Sequence, residues 1–239
     1  MADDLDPFMM MQHPTAERPL LGLTVLVVED SRFACEALRL LCLRSGARIR
    51  RAASLTAARR HLKVYRPSAV IIDLGLPDGS GADLINELAN AHPRAQGIIG
   101  MSGDPDGEAA ALKAGADRFL DKPIGSLAEF QSLILSVMPE DAQPVGLRQL
   151  SDDIVHPDPL ALMDDLAHVA DILTAGSDDN TLDYVAQFLA GVARSAGDEP
   201  LEKAASSLAT RRMTGTPYQS DVARIAGLVQ DRLGARQAI

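Results

Sequence analysis

The feature that most constrains the fold is an unbroken apolar run that ends in one acid and a turn. Val70–Ile72 is followed by Asp73, and then by the turn residues 74–79, which include two glycines, a proline and an aspartate. A continuous apolar run is typical of a strand that is buried on both faces of a parallel sheet. Ligands of open α/β sheets bind just beyond the carboxyl ends of the strands. Asp73 is therefore predicted at an edge where ligands bind, although an aspartate that merely caps the next turn fits the same residues.

Three other predicted strands also end in polar side chains. Residues 23–28 lead to Glu29-Asp30, residues 97–101 lead to Ser102-Gly103, and residues 118–121 lead to Lys122-Pro123. Because the carboxyl ends of parallel strands meet at one edge of a sheet, we expect these groups to converge with Asp73. Three carboxylates, a hydroxyl and an ammonium suit a hard cation such as Mg²⁺ together with a phosphoryl group.

The strands alternate with helical patterns five times along residues 20–139. Ser31, Ser54 and Ser126 are candidate N-caps, and Gly115 is a candidate C-terminal stop for the fourth helix. This alternation predicts a doubly wound parallel five-stranded sheet with right-handed crossovers. The Arg-rich strand at 47–52 is expected at an edge of that sheet.

The chain divides into four parts by pattern and composition. Residues 1–19 are predicted to be a flexible arm, 20–139 an α/β domain, 140–157 a linker, and 158–239 an all-α domain of about four helices. The first of these helices begins at Asp158-Pro159, an N-cap followed by proline. Thr216-Pro217-Tyr218-Gln219 resembles a capping box that opens the fourth helix. Short connections between the four helices predict antiparallel neighbours.

Charge and composition narrow the function classes. Residues 140–239 carry 8 Lys and Arg against 16 Asp and Glu, out of a net charge of −10 for the chain. Such an acidic domain repels phosphate backbones, so we expect no nucleic-acid partner. The sequence contains no run of eighteen apolar residues, so no membrane span is predicted. It also contains no basic segment followed by an apolar stretch, so no secretory signal is predicted. Cys35 and Cys42 lie too far apart on one helix for a disulfide, which favours reduced thiols in the cytoplasm.

Residues from about Leu20 to Pro139 resemble the receiver domain of bacterial two-component response regulators, a flavodoxin-like fold of which CheY is an example. The resemblance is carried by the residues already quoted and by Pro77 and Gly81, which follow Asp73 at the family's spacing. It covers about half of the 239 residues and says little about the helical half.

The resemblance implies a role for each residue of the site. Asp73 would be the phosphoacceptor, and Mg²⁺ would be held by Glu29, Asp30, Asp73 and the backbone carbonyl of Gly75. Lys122 would pair with a phosphoryl oxygen, Ser102 would donate a hydrogen bond to another, and Phe119 would be the switch aromatic. Gly103 would leave room for a partner's histidine. Pro77 lies in the loop after the acceptor, and Pro123 is a candidate for a cis peptide bond.

The predicted function is that of a response regulator in a two-component system or phosphorelay. It would be a phosphoacceptor rather than an enzyme, apart from catalysing its own phosphorylation from small donors and its own dephosphorylation. A sensor histidine kinase or histidine phosphotransferase would supply the phosphoryl group. The helical domain would act by protein contact, and a homodimer is expected.

Several alternatives fit the same residues. Phe119 could be a core residue, a switch residue or both. The chain could be a DNA-binding transcriptional regulator with a divergent helix-turn-helix. It could also be a phosphorelay intermediate using His168, although the Lys-Gly that usually follows a reactive histidine is missing. Arg211-Arg212 could form a basic recognition patch, or could complement the C-terminus of a helix.

Overall fold

The computed structural model describes residues 13–144, 150–175 and 179–235; residues 1–12 of the predicted arm lie outside this part of the chain. The main sheet consists of five parallel strands, β1 Thr24–Val28, β2 Arg48–Ala52, β3 Ala69–Asp73, β6 Gly97–Ser102 and β7 Arg118–Asp121. Their order across the sheet is β2-β1-β3-β6-β7. Two short strands, β4 Gly75–Leu76 and β5 Gly79–Ser80, form an antiparallel hairpin directly after β3. The prediction of a doubly wound parallel sheet is confirmed, and the Arg-rich strand is at its edge.

Five helices cover the two faces of the sheet. They are α1 Arg32–Ser45, α2 Leu55–Val64, α3 Gly81–Ala89, α4 Gly107–Ala114 and α5 Leu127–Ser136. Helices α1 and α5 enclose one apolar core, and α2, α3 and α4 enclose the other. The alternating side chains of the central strands supply both cores, because successive residues of a strand point to opposite faces. This arrangement leaves the carboxyl edge of the sheet free of its own helices.

The segments that flank the α/β domain are attached to it. Leu20 is fully buried, and its backbone amide donates to the carbonyl of Ser45 at 2.9 Å. A short helical turn, Glu140–Ala142, follows α5. Farther along the predicted linker, Val155 is 3% exposed within the core between α1 and α5, and its amide donates to the Gly125 carbonyl at 2.9 Å.

The helical half is a four-helix bundle. Its helices are α6 Pro159–Ala175, α7 Asp179–Ala196, α8 Glu199–Thr214 and α9 Gln219–Ala235. Each packs against the next, and α9 returns to α6, so the four close around one core. The capping-box prediction is wrong: α9 begins at Gln219, and the carbonyl of Tyr218 accepts the first amides, while Thr216 lies in the turn before it. None of the helices in the described ranges combines the length and apolarity that crossing a membrane requires.

Candidate functional site

Three carboxylates meet at the carboxyl edge of the sheet. Glu29 and Asp30 follow β1, Asp73 ends β3, and one oxygen from each lies within 4.8 Å of the others. Glu29 is 1% exposed and Asp73 is 7% exposed. The strands place these acids together because β1 and β3 are adjacent and parallel. The sequence prediction that these side chains converge agrees with this geometry.

A single cation lies between two of these acids. Lys122, which follows β7, places its Nζ 2.6 Å from Glu29 Oε2 and 3.0 Å from Asp73 Oδ1. Its side chain is 9% exposed. Buried charges are stable only when they are paired, so Lys122 offsets part of the repulsion in the cluster.

Burial changes the ionisation of the whole cluster. It raises the pKa of Asp73 to about 7, with Lys122 acting in the opposite direction and Glu29 adding to the rise. Burial also raises the pKa of Asp30 to about 6, and a hydrogen bond from Tyr184 opposes that rise. Burial works against the charged form of Lys122, but attraction to Asp73 and Glu29 outweighs it and raises the pKa of the amine. The acids therefore carry less negative charge near neutral pH than isolated carboxylates would.

The turn after Asp73 is fixed by backbone contacts. The amide of Leu74 donates to the Met101 carbonyl, and the amide of Gly81 donates to the Leu74 carbonyl, each at 3.0 Å. A Cβ on Gly81 would lie 1.9 Å from the carbonyl oxygen of Asp73, so only glycine allows this approach. The amide of Gly75 donates to the carboxylate of Asp73. These contacts hold the predicted acceptor in one position.

The hydroxyl and aromatic residues of the site are close to one another. Ser102 is 5% exposed, and its Oγ accepts from the Asp104 amide at 3.0 Å. Half-buried Phe119 packs against the core beneath α4. Both side chains approach Gly107: a Cβ there would lie 2.8 Å from Ser102 Cβ and 3.1 Å from Phe119 Cζ. Phe119 is thus a core residue that also adjoins the site hydroxyl.

The two prolines of the site differ in their peptide bonds. Pro77 lies in the two-residue turn of the β4–β5 hairpin. The Lys122–Pro123 bond is cis, and among the described residues the other cis bond precedes Pro93. Pro123 thus follows Lys122, the cation of the site, directly.

The helical bundle contributes residues that the sequence did not indicate. Tyr184 of α7 donates its hydroxyl to Asp30 Oδ2 at 2.5 Å. Asp165 of α6 is 3% exposed and lies at the N-terminus of α1. It accepts hydrogen bonds from Ser31 Oγ at 2.7 Å and from the amides of Arg32 at 2.8 Å and Phe33 at 3.1 Å. Asp165 therefore extends the cap that Ser31 provides for α1.

A cavity of about 530 Å³ lies between the acid cluster and the bundle, beside the contact of Tyr184 with Asp30. Its walls include Glu29, Asp73, Ser102 and Lys122 on one side, and residues of α7 and α8 on the other. Tyr184, Gln187, Gly191 and Arg194 are spaced three, four and three residues apart, so they share one side of α7, which we term the α7 face. The helical spacing of these residues can be recognised in the sequence, but the sequence does not show what the α7 face contacts.

The other residues considered from the sequence lie elsewhere. His168 is exposed on α6, its ring is 6.3 Å from that of Phe188, and it is not part of the cavity wall. Arg212 binds Asp179 and Asp183 at 2.6 Å each, and Arg211 Nε lies 3.0 Å from Asp221. Both arginines are engaged within the bundle, so they do not form a free basic patch.

The donor set fits a divalent cation. Among the described residues, three buried carboxylate oxygens lack a hydrogen-bond partner: Glu29 Oε2, Asp30 Oδ1 and one of Asp221. The first is ion-paired with Lys122 and the last with Arg211. Asp30 Oδ1 alone has neither, since Tyr184 uses the other oxygen of that carboxylate. Clustered carboxylate oxygens are the ligands that Mg²⁺ and similar cations prefer.

Comparison with known proteins identifies the α/β domain. The response regulator receiver domain family matches residues 25–134. The KDP operon transcriptional regulatory protein KdpE of Escherichia coli K12 is 32% identical over 142 residues, which is 59% of this chain and 58% of that protein. The chain spans little more than half the length of the KdpE proteins of Escherichia coli and Mycobacterium tuberculosis that it matches.

Solved structures also match about half of the chain. A putative response regulator from Chloroflexus aurantiacus is 28% identical and covers 48% of this chain and 96% of its own, with a TM-score of 0.46. The receiver domain of a sensor histidine kinase from Pseudomonas aeruginosa, described with a magnesium ion in its active site cleft, is 24% identical. It covers 48% of this chain and 95% of its own, with a TM-score of 0.44. The family match, rather than these structures, identifies residues 25–134 as a response regulator receiver domain.

Proposed function

We propose that this receiver domain accepts a phosphoryl group on Asp73 and relays that change to partners through the helical bundle. The observation that carries the proposal is the cluster of Glu29, Asp30 and Asp73, with Lys122 Nζ 3.0 Å from Asp73 Oδ1. A histidine kinase or a histidine phosphotransferase is the donor that fits a receiver domain.

The chemistry follows from the position of each group. A carboxylate oxygen of Asp73 attacks phosphorus as the bond from phosphorus to the donor's imidazole nitrogen breaks, and the imidazole leaves with the bonding electrons. Phosphoryl transfer depends on positioning and on charge stabilisation. Lys122 is positioned to pair with a phosphoryl oxygen, and Ser102 to donate its hydroxyl proton to another. The fixed turn after β3 keeps the Asp73 carboxylate aligned.

A divalent cation, proposed to be Mg²⁺, would be held by Glu29, Asp30 and Asp73, with the carbonyl of Gly75 as a further ligand. When bound, it neutralises the negative charge of the phosphoryl group as that group approaches the carboxylates. The unpartnered Oδ1 of Asp30 supports this assignment.

Phosphorylation can be tested with small donors. The full chain is incubated with ³²P-labelled acetyl phosphate, with Mg²⁺ or with EDTA, and the label is characterised by its loss in hydroxylamine. We expect one phosphate per chain, dependent on Mg²⁺ and absent from Asp73→Asn. Asp78→Asn, in the turn of the hairpin, is the matched control and should label like the wild type. Equal labelling of Asp73→Asn and the wild type would refute the assignment. The same assay, followed by the decay of the label after the donor is removed, tests the proposal that the chain catalyses its own phosphorylation and dephosphorylation.

Output through protein contact is the second part of the proposal. The bundle's acidic charge and the internal pairing of Arg211 and Arg212 support it. We propose a homodimer formed through α4, β7 and α5, where Leu112 is 46% exposed. Light scattering with and without acetyl phosphate tests the dimer; a strict monomer in both states would exclude it. Buried, reduced Cys35 and Cys42 support a cytoplasmic location.

A DNA-binding output is the alternative, and it is favoured by the name of the KdpE relative. Gel-shift assays at low salt with genomic fragments distinguish the two outputs. Tight binding that weakens steeply with added salt would favour the DNA-binding output, because phosphate contacts release counterions.

A further inference from the structure

The α7 face covers the acceptor site and fills the space beside two of its glycines. A Cβ on Gly103 would lie 2.7 Å from Arg194 Nη1, and one on Gly75 would lie 2.7 Å from Gln187 Nε2. Gly103 was expected to leave room for an incoming histidine, but in this structure the Arg194 guanidinium occupies that room. By contrast, a Cβ on Gly191, midway along the face, would meet no atom within 4 Å. The cavity is therefore open beside Gly191, while the side chains of Gln187 and Arg194 fill the space beside the two site glycines.

Polar contacts hold the bundle in this position. Asp165 accepts three hydrogen bonds at the start of α1, and Tyr184 donates one to Asp30. Arg32 Nη1 adds an exposed ion pair with Asp164 at 2.7 Å. Within the described residues, the two apolar cores of the receiver contain no residue of α6–α9, and the core of the bundle contains no residue of the receiver. A polar interface without a shared apolar core is the kind that opens and closes.

The connection to the bundle permits such a movement. Val155 is anchored in the receiver core and α6 begins at Pro159, so residues 156–158 alone join the two. A rotation about these residues would carry α6–α9 away from the acids while leaving both cores intact. Hinges are commonly a few residues at the end of an element.

The size of the cavity determines which donors fit beneath the bundle. Pockets of about 300–1,000 Å³ hold drug-sized ligands, so 530 Å³ is ample for an acyl phosphate. A phosphohistidine that is presented by a helix brings its backbone with it. A helix is about 10 Å across, and the space that it would need beside the site glycines is occupied: a Cβ on Gly103 or Gly75 would lie 2.7 Å from Arg194 or Gln187 of α7. A protein donor that approaches Asp73 from this side therefore meets α7 first.

Resting on the proposed phosphoacceptor function, we infer that the bundle is an intramolecular cap that admits small phosphodonors to Asp73 and excludes phosphohistidine proteins. Transfer from a kinase requires the bundle to swing away and expose the α1 side of the site. A partner that captures the freed α7 face would increase phosphorylation by the kinase and leave phosphorylation by acyl phosphates unchanged.

The test uses the full chain and variants that weaken docking. Asp165→Ala removes the three hydrogen bonds to α1, and Asp171→Ala is the matched control, an exposed carboxylate on the same helix. Gln187→Glu is a second opening variant, because it brings another carboxylate to the acidic cluster. Hydrogen exchange at the amides of Arg32 and Phe33 reports docking in Gln187→Glu, which keeps Asp165 as their acceptor, and should accelerate there but not in Asp171→Ala.

Two donors then separate the cap from the acceptor function. The first probe is ³²P-labelled acetyl phosphate. The second is an autophosphorylated histidine kinase from the same genome, chosen as the kinase that labels Asp165→Ala fastest. If the docked state exceeds about 90% of the population, opening should raise the rate of kinase transfer about tenfold over the wild type and Asp171→Ala. Acetyl phosphate should label Asp165→Ala, Asp171→Ala and the wild type at rates within about twofold, because the same site is reached in each.

Each other outcome has one meaning. Equal kinase transfer to all proteins, including no transfer to any, would overturn the cap. An equal rise in acetyl phosphate labelling of Asp165→Ala would overturn its selectivity for small donors. Absence of acetyl phosphate labelling from every protein would instead refute the proposed phosphoacceptor function.

Discussion

Removing the charge of Asp30 should stabilise the metal-free protein, and the gain should depend on pH. Burial raises the pKa of Asp30 from 3.8 to about 6. Because the folded-state pKa lies above the unfolded one, the protonated acid favours folding, and that advantage is lost as the pH rises from about 4 through 6. The difference between these two pKa values corresponds to about 3 kcal/mol above pH 7. At pH 4.5 the same linkage amounts to about 1 kcal/mol.

Asp30→Asn is the informative substitution, because its amide oxygen can still accept the hydrogen bond from Tyr184. In EDTA at pH 8 we expect the variant to melt about 6–12 °C above the wild type, since 1 kcal/mol shifts the melting temperature of a chain this size by about 2–4 °C. At pH 4.5 the difference should fall to about a third of that. With Mg²⁺, the wild type should gain stability, and the variant should gain far less because a ligand has been lost.

Calorimetry or circular dichroism across this pH range provides the measurement. Asp141→Asn, at an exposed carboxylate in the turn at 140–142, controls for the change in net charge. A difference between Asp30→Asn and the wild type that is the same at pH 4.5 and pH 8 would refute the argument from burial and repulsion. A full Mg²⁺-dependent rise in the variant would refute the ligand role.

Three further substitutions test other contacts. Tyr184→Phe removes a charge-assisted hydrogen bond and should lower the free energy of unfolding by about 1.5–3 kcal/mol in EDTA at pH 8. Tyr218→Phe is the control, because its hydroxyl makes only a 3.3 Å contact on the exposed surface, and it should cost far less. Equal losses of stability in urea denaturation would contradict this. Lys122→Met leaves the two buried carboxylates that Lys122 bridges without their cation and should destabilise the fold by about 3–5 kcal/mol at pH 8. The loss of stability should be smaller at pH 5, where those carboxylates bind protons more readily. A loss that does not depend on pH would be evidence against this role of Lys122. Gly81→Ala places a methyl group against the carbonyl oxygen of Asp73 and should abolish labelling by acetyl phosphate or prevent folding. The control is Gly227→Ala, at a helix position with open space around it, which should stabilise the bundle by up to about 1 kcal/mol. Wild-type behaviour of Gly81→Ala would disprove the close approach of Gly81 to the Asp73 carbonyl.

The sequence determined the receiver and the identity of its acids because the relevant signals are local or follow from topology. Buried strands read as apolar runs, helix N-caps are serines next to those runs, and parallel topology brings strand ends to one edge. Val70–Ile72, followed by Asp73 and a glycine- and proline-containing turn, was therefore sufficient to predict where the acids meet. The start of α9 was less predictable, because Thr216-Pro217 fits a turn as well as it fits a capping box. The packing of α9 in the bundle decided that these residues form the turn.

Only the tertiary structure decided what stands opposite the acceptor. The residues of the α7 face have helical spacing in the sequence, but a polar stripe on a helix reads as a solvent-exposed surface. Asp165 likewise reads as one acid among many in an acidic domain. Their partners, Asp30 and the first amides of α1, lie more than 130 residues earlier in the chain. No local pattern encodes such a contact, because it depends on how two separately folded cores are placed against each other through a short connection and a few hydrogen bonds.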